Sequence, residues 1–544
     1  MAKFRQMIKE LHVHPAVTIF GGMLAVTALV AMFADSGKVR MMSVLLWTGV
    51  VSAVWFLGSE SSVHRVKFED AGRREHLLLI LLVTALVLGC ILPMGASPEW
   101  NGERQNHRDQ YERMTESVLK GQLHLDYDID PRLLEMENPY DVGLRESSGI
   151  DYEWDHAFYN GKYYMYFGIV PVFLVFLPYR LITGTALTGY HATQLFTTVG
   201  MVGMFALMYL LAKRFFPKMR FATYASLAGA LSLLSFWYSS TTPSLYCTAI
   251  SAAIMLMVWS LYFFVRAVFC TGPEHQNKQI ILAFCGAWCG ALAFGCRPPV
   301  ALANLLVIPL LCVFLKQHKM SWKLFGKLFF AASPYIVVAV VLMAYNYARF
   351  ENPFEFGQAY QLTNTDQSAY GDMAANLDIG RIVRGIWENF LSVGERTRTF
   401  PYITFSGALV NFPVLALAFG GCHPAVRRKI RDGGLGGWMA MLAAVPLVIT
   451  IIDIQWAPFL TERYRMDIYF VMALLCFLVV GFWGMSLKTE DAGLRFSKLI
   501  SVVSFLTIFS CVVFWFIPND ANAVVCIPEI LAWAEKFFMS AFTG

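Results

Sequence analysis

The chain has 544 residues, 57% of them hydrophobic and 15% charged, with a formal net charge of +5 and a mean hydropathy of +0.52. A soluble domain is nearer about 45–50% apolar, so this composition excludes one and indicates a polytopic membrane protein. The basic residues recur in short groups between apolar runs, which reads as a topology signal and not as a nucleic-acid surface.

Apolar runs of about 17–25 residues, enough to cross a hydrocarbon core of about 30 Å, are predicted at 15–34, 41–58, 76–95, 187–212, 221–240, 246–269, 280–296, 300–315, 329–347, 405–421, 436–453, 466–485 and 499–518. The expected fold is therefore an all-α polytopic bundle of about thirteen transmembrane helices. No small-residue cleavage site follows the first run, so 15–34 is expected to stay as an anchor. Residues 1–75 form an N-terminal hairpin with its cytoplasmic loop, 76–518 the core with outer loops 97–162 and 349–402, and 519–544 an interfacial tail.

Lysines and arginines cluster at 3–9, 65–74, 213–220, 266–278, 316–327, 427–431 and 488–498, all on one side if the spans alternate. Short cytoplasmic loops retain such groups. The loops 97–162, 349–402 and 455–465 then lie outside a plasma membrane, together with the C-terminal tail. The stretch 163–183 is apolar, but counting it as a crossing would put 213–220 outside. Pro171, Pro178 and the cluster Tyr163, Tyr164, Tyr166 and Phe167 predict a broken, re-entrant or interfacial element instead.

The first outer loop holds 15 acidic and seven basic residues. Within it Tyr111, Met114, Val118 and Leu119 make the stripe of an amphipathic helix expected to lie on the membrane surface, begun by Asp109 and stopped by Gly121. Asp109 and Glu112 share one face of that helix. Asp155 stands just before the aromatic stretch that returns to the membrane. A carboxylate desolvated at an interface can act as a general base.

Arginines at the outer ends of spans run against the inside bias for positive charge and call for an anionic partner, of which phosphate is the natural one. These are Arg297, before Pro298-Pro299, and Arg463 and Arg465, which flank Tyr464; Arg396 and Arg398 lie in the second outer loop. That loop opens with an aromatic and polar mixture, including Tyr347, Glu355 and Tyr360, of the kind that stacks on sugar rings and bonds their hydroxyls. None of the 11 cysteines falls in either long loop, which excludes a disulfide framework or a zinc site there. No GxxxxGK[ST], HExxH, GxSxG or CxxC pattern is present, so nucleotide hydrolysis, zinc proteolysis and thiol redox chemistry have no foothold.

The run Asp109-Gln110-Tyr111, then Gly121-Gln122-Leu123, then Trp154-Asp155-His156-Ala157-Phe158-Tyr159-Asn160-Gly161-Lys162, resembles the GT-C superfamily of integral-membrane glycosyltransferases. It is most similar to bacterial relatives of the protein O-mannosyltransferases and aminoarabinose transferases. The likeness continues through Phe294 to Pro298, Asn346 to Gly357 and Glu462 to Asp467. The resemblance implies transfer of a sugar, with inversion, from a polyprenyl-phosphate donor to an extracytoplasmic glycan, lipid or protein acceptor. It makes Asp109 the first catalytic choice and Asp155 the second. Arg297, Arg463, Arg465 and Lys162 would hold the donor phosphate, and Glu112, His156, Tyr347, Glu355, Tyr360, Arg396 and Arg398 the sugar or acceptor. Gln110 stands where the family often has a second acid, and Gly161-Lys162-Tyr163 where it has Lys-Pro-Pro. No cofactor is required, although a divalent cation bridging Asp109 and Asp155 to the phosphate stays open. Two rival classes also stay open: a lipid-linked sugar flippase, marked by ionisable residues near the midplane, and a polymerase or ligase using a lipid pyrophosphate.

Overall fold

The computed structural model describes residues 64–94, 109–370, 377–456, 461–517, 529 and 531–536. The first two expected spans lie outside those residues. Eight described helices are long and apolar enough to cross a membrane: Gly189–Phe215, Leu245–Phe269, Pro273–Phe294, Pro298–Gln317, Trp322–Phe350, Gly436–Gln455, Glu462–Ser486 and Glu490–Phe514. The protein is an all-α multi-pass membrane protein, its one departure among the described residues being a two-stranded sheet.

Burial sorts the helices into a core and a lipid-facing shell. Every residue of Phe221–Ser235 is buried, and it is apolar all round, the mark of a helix enclosed by others. Its small residues let a neighbour come close, and Thr223 and Ser226 reach Ser497 and Ser501 of Glu490–Phe514 at 2.9 and 3.2 Å. Trp322–Phe350 instead exposes Phe325, Phe329, Ile336 and Val340, a surface suited to acyl chains. The run expected as one span at 405–421 is broken into Ala408–Asn411 and the 3-10 segment Pro413–Cys422, where Pro413 withholds an N–H donor.

Segments expected on the same side meet. At one end Phe68 donates to the carbonyl of Met219 at 2.7 Å, and Lys67 and Arg220 both pair with Glu490. At the other, the two outer loops and 461–465 pack together: the Asp155 N–H donates to Leu362 at 2.9 Å, and Arg465 Nη1 donates to the Ser406 carbonyl at 2.7 Å.

The stretch 163–183 is broken, as its prolines predict. Residues Ala157–Tyr159 (β1) and Lys162–Tyr164 (β2) form an antiparallel hairpin in the register Tyr159↔Lys162, and a helix follows over Val172–Thr183. Twelve residues at about 1.5 Å each cannot cross about 30 Å of hydrocarbon. The hairpin turns on Asn160 (φ 47°) and Gly161 (φ 68°), both left-handed, as a two-residue type I′ loop requires.

The surface helix Gln110–Leu119 forms where expected, but its apolar side does not face a bilayer. Tyr111 and Met114 are fully buried, and the Tyr111 ring stacks on Phe176 at 5.1 Å. The helix Val172–Thr183 occupies the place that lipid was expected to take.

Candidate active site

One cavity of about 190 Å³ opens where the loops and the outer helix ends converge, far more room than a single water needs. Three walls form it. The first loop supplies Trp154, Asp155, Tyr166 and Gly168; the helix ends supply Tyr246, Arg297, Tyr345, Arg349, Arg463 and Tyr464; the second loop supplies Gln361 and its neighbours. The first loop docks on the hairpin tip that carries Arg297 through Val170, whose N–H donates to Gly295 at 3.1 Å. Gly168 is required there, because a Cβ would lie 2.3 Å from the Gly295 carbonyl oxygen.

Asp155 is the carboxyl at this cavity. It takes a left-handed conformation, φ 63°, uncommon for a residue with a side chain. Its Oδ1 accepts from the Gln361 side-chain amide, and the Tyr246 hydroxyl also bonds the carboxyl. Burial raises its pKa above the usual carboxylate range, and Tyr246, Arg463 and Gln361 offset only part of that rise.

The three cavity arginines differ in their partners. Arg297 Nε donates to both Asp467 oxygens at 2.9 and 2.7 Å, with Asp467 fully buried and Asp453 close enough to interact. Its charge is therefore engaged by the protein's own acids. Arg463 lies over the Tyr246 ring at 4.1 Å, and no described carboxylate comes within ion-pair distance of it. Arg349 donates to the Met165 carbonyl at 2.9 Å and to Asn346 Oδ1 at 2.8 Å, and lies over Tyr345 at 3.9 Å. Its Nε and the Tyr345 hydroxyl are buried with no hydrogen-bond partner. Such orphaned donors in a native interior call for an occupant.

Of the residues expected at the site, Asp155, Arg297 and Arg463 line this cavity and the others do not. Asp109 is turned away: its Oδ2 is 2.8 Å from Arg113 Nε and its Oδ1 accepts from the Tyr127 hydroxyl at 3.1 Å. It lies outside the lining. Among the described residues no group of three or more His, Cys, Asp or Glu is placed to hold a metal. Glu112 accepts from the Gly189 N–H at 2.7 Å, where the positive end of a helix favours a carboxylate. His156 is buried behind the cavity and bonds Tyr127 at 3.1 Å.

Lys162 is exposed at the start of β2, and Tyr347 is 61% exposed on the outer side of its helix. Glu355 accepts from the Gly357 N–H at 2.6 Å. Tyr360 packs into a loop-to-loop aromatic cluster with Tyr159 and Phe350. Arg396 and Arg398 are exposed, and Arg465 ties Ser406 to its helix. Arg349, Tyr345, Tyr246 and Gln361 were not singled out from sequence. For Arg349 the signal was present: an arginine at the end of an apolar span, the same mark that identified Arg297. No family model, curated protein or solved structure matches this chain.

Proposed function

We propose that the chain is an integral-membrane glycosyltransferase of the GT-C type, built on a bundle of about thirteen crossings in a bacterial plasma membrane. It moves a sugar from a polyprenyl-phosphate donor to an extracytoplasmic hydroxyl acceptor. The observation that carries this reading is a single cavity in which a buried carboxyl, Asp155, lies near two guanidiniums, Arg463 and Arg349, with which no described carboxylate forms an ion pair. A phosphate monoester supplies the missing anion and meets the unused donors of Arg349 and Tyr345.

The acceptor oxygen attacks the anomeric carbon and its proton passes to Asp155. The bond from that carbon to the phosphate oxygen breaks on the opposite face. The lipid phosphate leaves with the electron pair, its charge met by Arg463 and Arg349. The acidic residues set in spanning helices, Asp453 and Asp467, lie close to helix ends. A flippase is expected to place such groups near the midplane, so the transferase is favoured over it.

The test is transfer from a labelled polyprenyl-phosphate sugar by purified chain. Asp155→Asn should lower kcat by about a hundredfold or more, while undiminished turnover removes the proposal. The pH profile carries a sign. Because burial favours the protonated carboxyl, the base form appears only above the ordinary carboxylate range. Activity should therefore fall with acidification at a higher pH than a free aspartate would give. A pyrophosphate-linked donor used in preference to the monophosphate would reassign the enzyme to the polymerase or ligase class.

A further inference from the structure

The left-handed peptide at Asp155 persists only if its surroundings over-determine it. The Asp155 N–H donates to Leu362, the Leu362 N–H donates to His156, and Gln110 Nε2 donates to the Asp155 carbonyl, each at 2.9 Å. The next link is His156 Nδ1, 2.8 Å from the Trp154 carbonyl oxygen. A carbonyl only accepts, so Nδ1 carries a proton. Gln110 Nε2, 3.5 Å from the same nitrogen, is also a donor, so its proton belongs to the Asp155 carbonyl.

The other ring nitrogen, Nε2, lies 3.1 Å from the Tyr127 hydroxyl, which itself lies 3.1 Å from Asp109 Oδ1. Tyr127 has one proton for two neighbours. Asp109 Oδ2 accepts from Arg113 Nε at 2.8 Å, and its Oδ1 accepts from the Tyr127 hydroxyl. If Tyr127 donates to Asp109, its oxygen is left to accept, and the contact with His156 is a hydrogen bond only when Nε2 also carries a proton. If Tyr127 donated to His156, two oxygen lone pairs would face each other at Asp109. The doubly protonated ring satisfies the contacts with Trp154 and Tyr127 together.

The charged and titratable groups around the ring come from several elements. The surface helix presents Asp109 and Arg113, the following connection Tyr127, the ring's own segment Glu153 and Asp155, and β2 Tyr163 at 6.1 Å between ring centroids. The second outer loop presents only the amide of Gln361 and the backbone of Leu362.

We propose that Asp109, Tyr127 and His156 are positioning residues: one hydrogen-bonded chain, with His156 protonated on both ring nitrogens, that locks the left-handed turn presenting Asp155 to the cavity. The proposal rests on Asp155 being the base of the transfer reaction. It gives Asp109 a task without placing it at the reacting atoms.

The experiment labels the 11 histidines with 15N in the full chain and assigns the His156 ring by difference from His156→Asn. At pH 7 both ring nitrogens should read as protonated. In Tyr127→Phe, Nε2 should become unprotonated, and kcat should fall about tenfold or more with the donor KM unchanged, since alignment and not affinity is lost. Asp109→Asn serves in its place if that variant does not fold. An unprotonated Nε2 in the unaltered chain, or a Tyr127→Phe chain with full kcat, overturns the proposal. A doubly protonated ring in a chain that transfers no sugar supports the hydrogen-bonded chain and removes the transferase reading.

Discussion

Arg297 and Arg463 border the same cavity, but Arg297 grips the fully buried Asp467 through Nε, whereas Arg463 rests on the Tyr246 ring and interacts with Asp155 only from beyond ion-pair distance. An aromatic face offsets part of the cost of burying a guanidinium and leaves its formal charge in place. A carboxylate cancels that charge. Two arginines that sequence reading assigned one task, binding the donor phosphate, are thereby separated by their partners: Arg297 is suited to holding helices together, Arg463 to receiving an anion. Arg349 belongs with Arg463, its neighbours being carbonyl and amide oxygens and an aromatic ring.

The largest expected effect breaks the Arg297 side of this contrast. Arg297→Ala strands Asp467 in a site it cannot leave, and loss of one partner of a buried ion pair costs about 3–5 kcal/mol. The folded, monodisperse fraction in detergent and its thermal midpoint should both drop. Replacing both partners with apolar residues of similar size should recover most of the loss. A single variant as stable as the parent would show that the pair contributes nothing to folding. On the other side, Arg463→Ala should weaken binding of the lipid phosphate by about 1.5–3 kcal/mol, roughly ten- to a hundredfold, as for hydrogen bonds to a charged group. Its stability should change little. Equal donor affinity in a titration with undecaprenyl phosphate would remove Arg463 from the phosphate site.

How far this arrangement could be read in the sequence depends on the range of the interaction involved. The eight described spans follow from local composition. So does the break at Pro171, where the helix Val172–Thr183 begins, since proline acts on its own backbone. Asp155, Arg297 and Arg463 also stood out locally, as charges at the ends of apolar runs. What neutralises Arg297 did not: Asp467 is 170 positions away, and nothing at either residue names the other. The surroundings of Asp109 were hidden for the same reason, because its partner Tyr127 and the chain on to His156 depend on how the loop folds back. Two features were legible and unread. Asn160-Gly161 between aromatic residues is the short-range signature of a type I′ hairpin. Ile379, Val383 and Trp387 recur every fourth residue, and the structure places them exposed along the helix Ile379–Phe390.

The smallest expected effect probes the wall that carries Asp155, which is held by backbone hydrogen bonds and not by ion pairs. Gly161 sits at φ 68°, where a side chain costs about 1 kcal/mol, and its added Cβ would meet Leu134 at 3.2 Å. Gly161→Ala should therefore lower stability by about 1–2 kcal/mol, less than any change at Arg297. The strain enters at the hairpin tip, and Asp155 lies just beyond the end of β1, held by Leu362 from the second loop. Sugar transfer should consequently fall with the donor KM intact, the reverse of the Arg463 pattern. If Gly161→Ala instead weakened donor binding while leaving turnover unchanged, the hairpin would belong to the phosphate wall, and the division between an acid wall and a cationic wall would be lost.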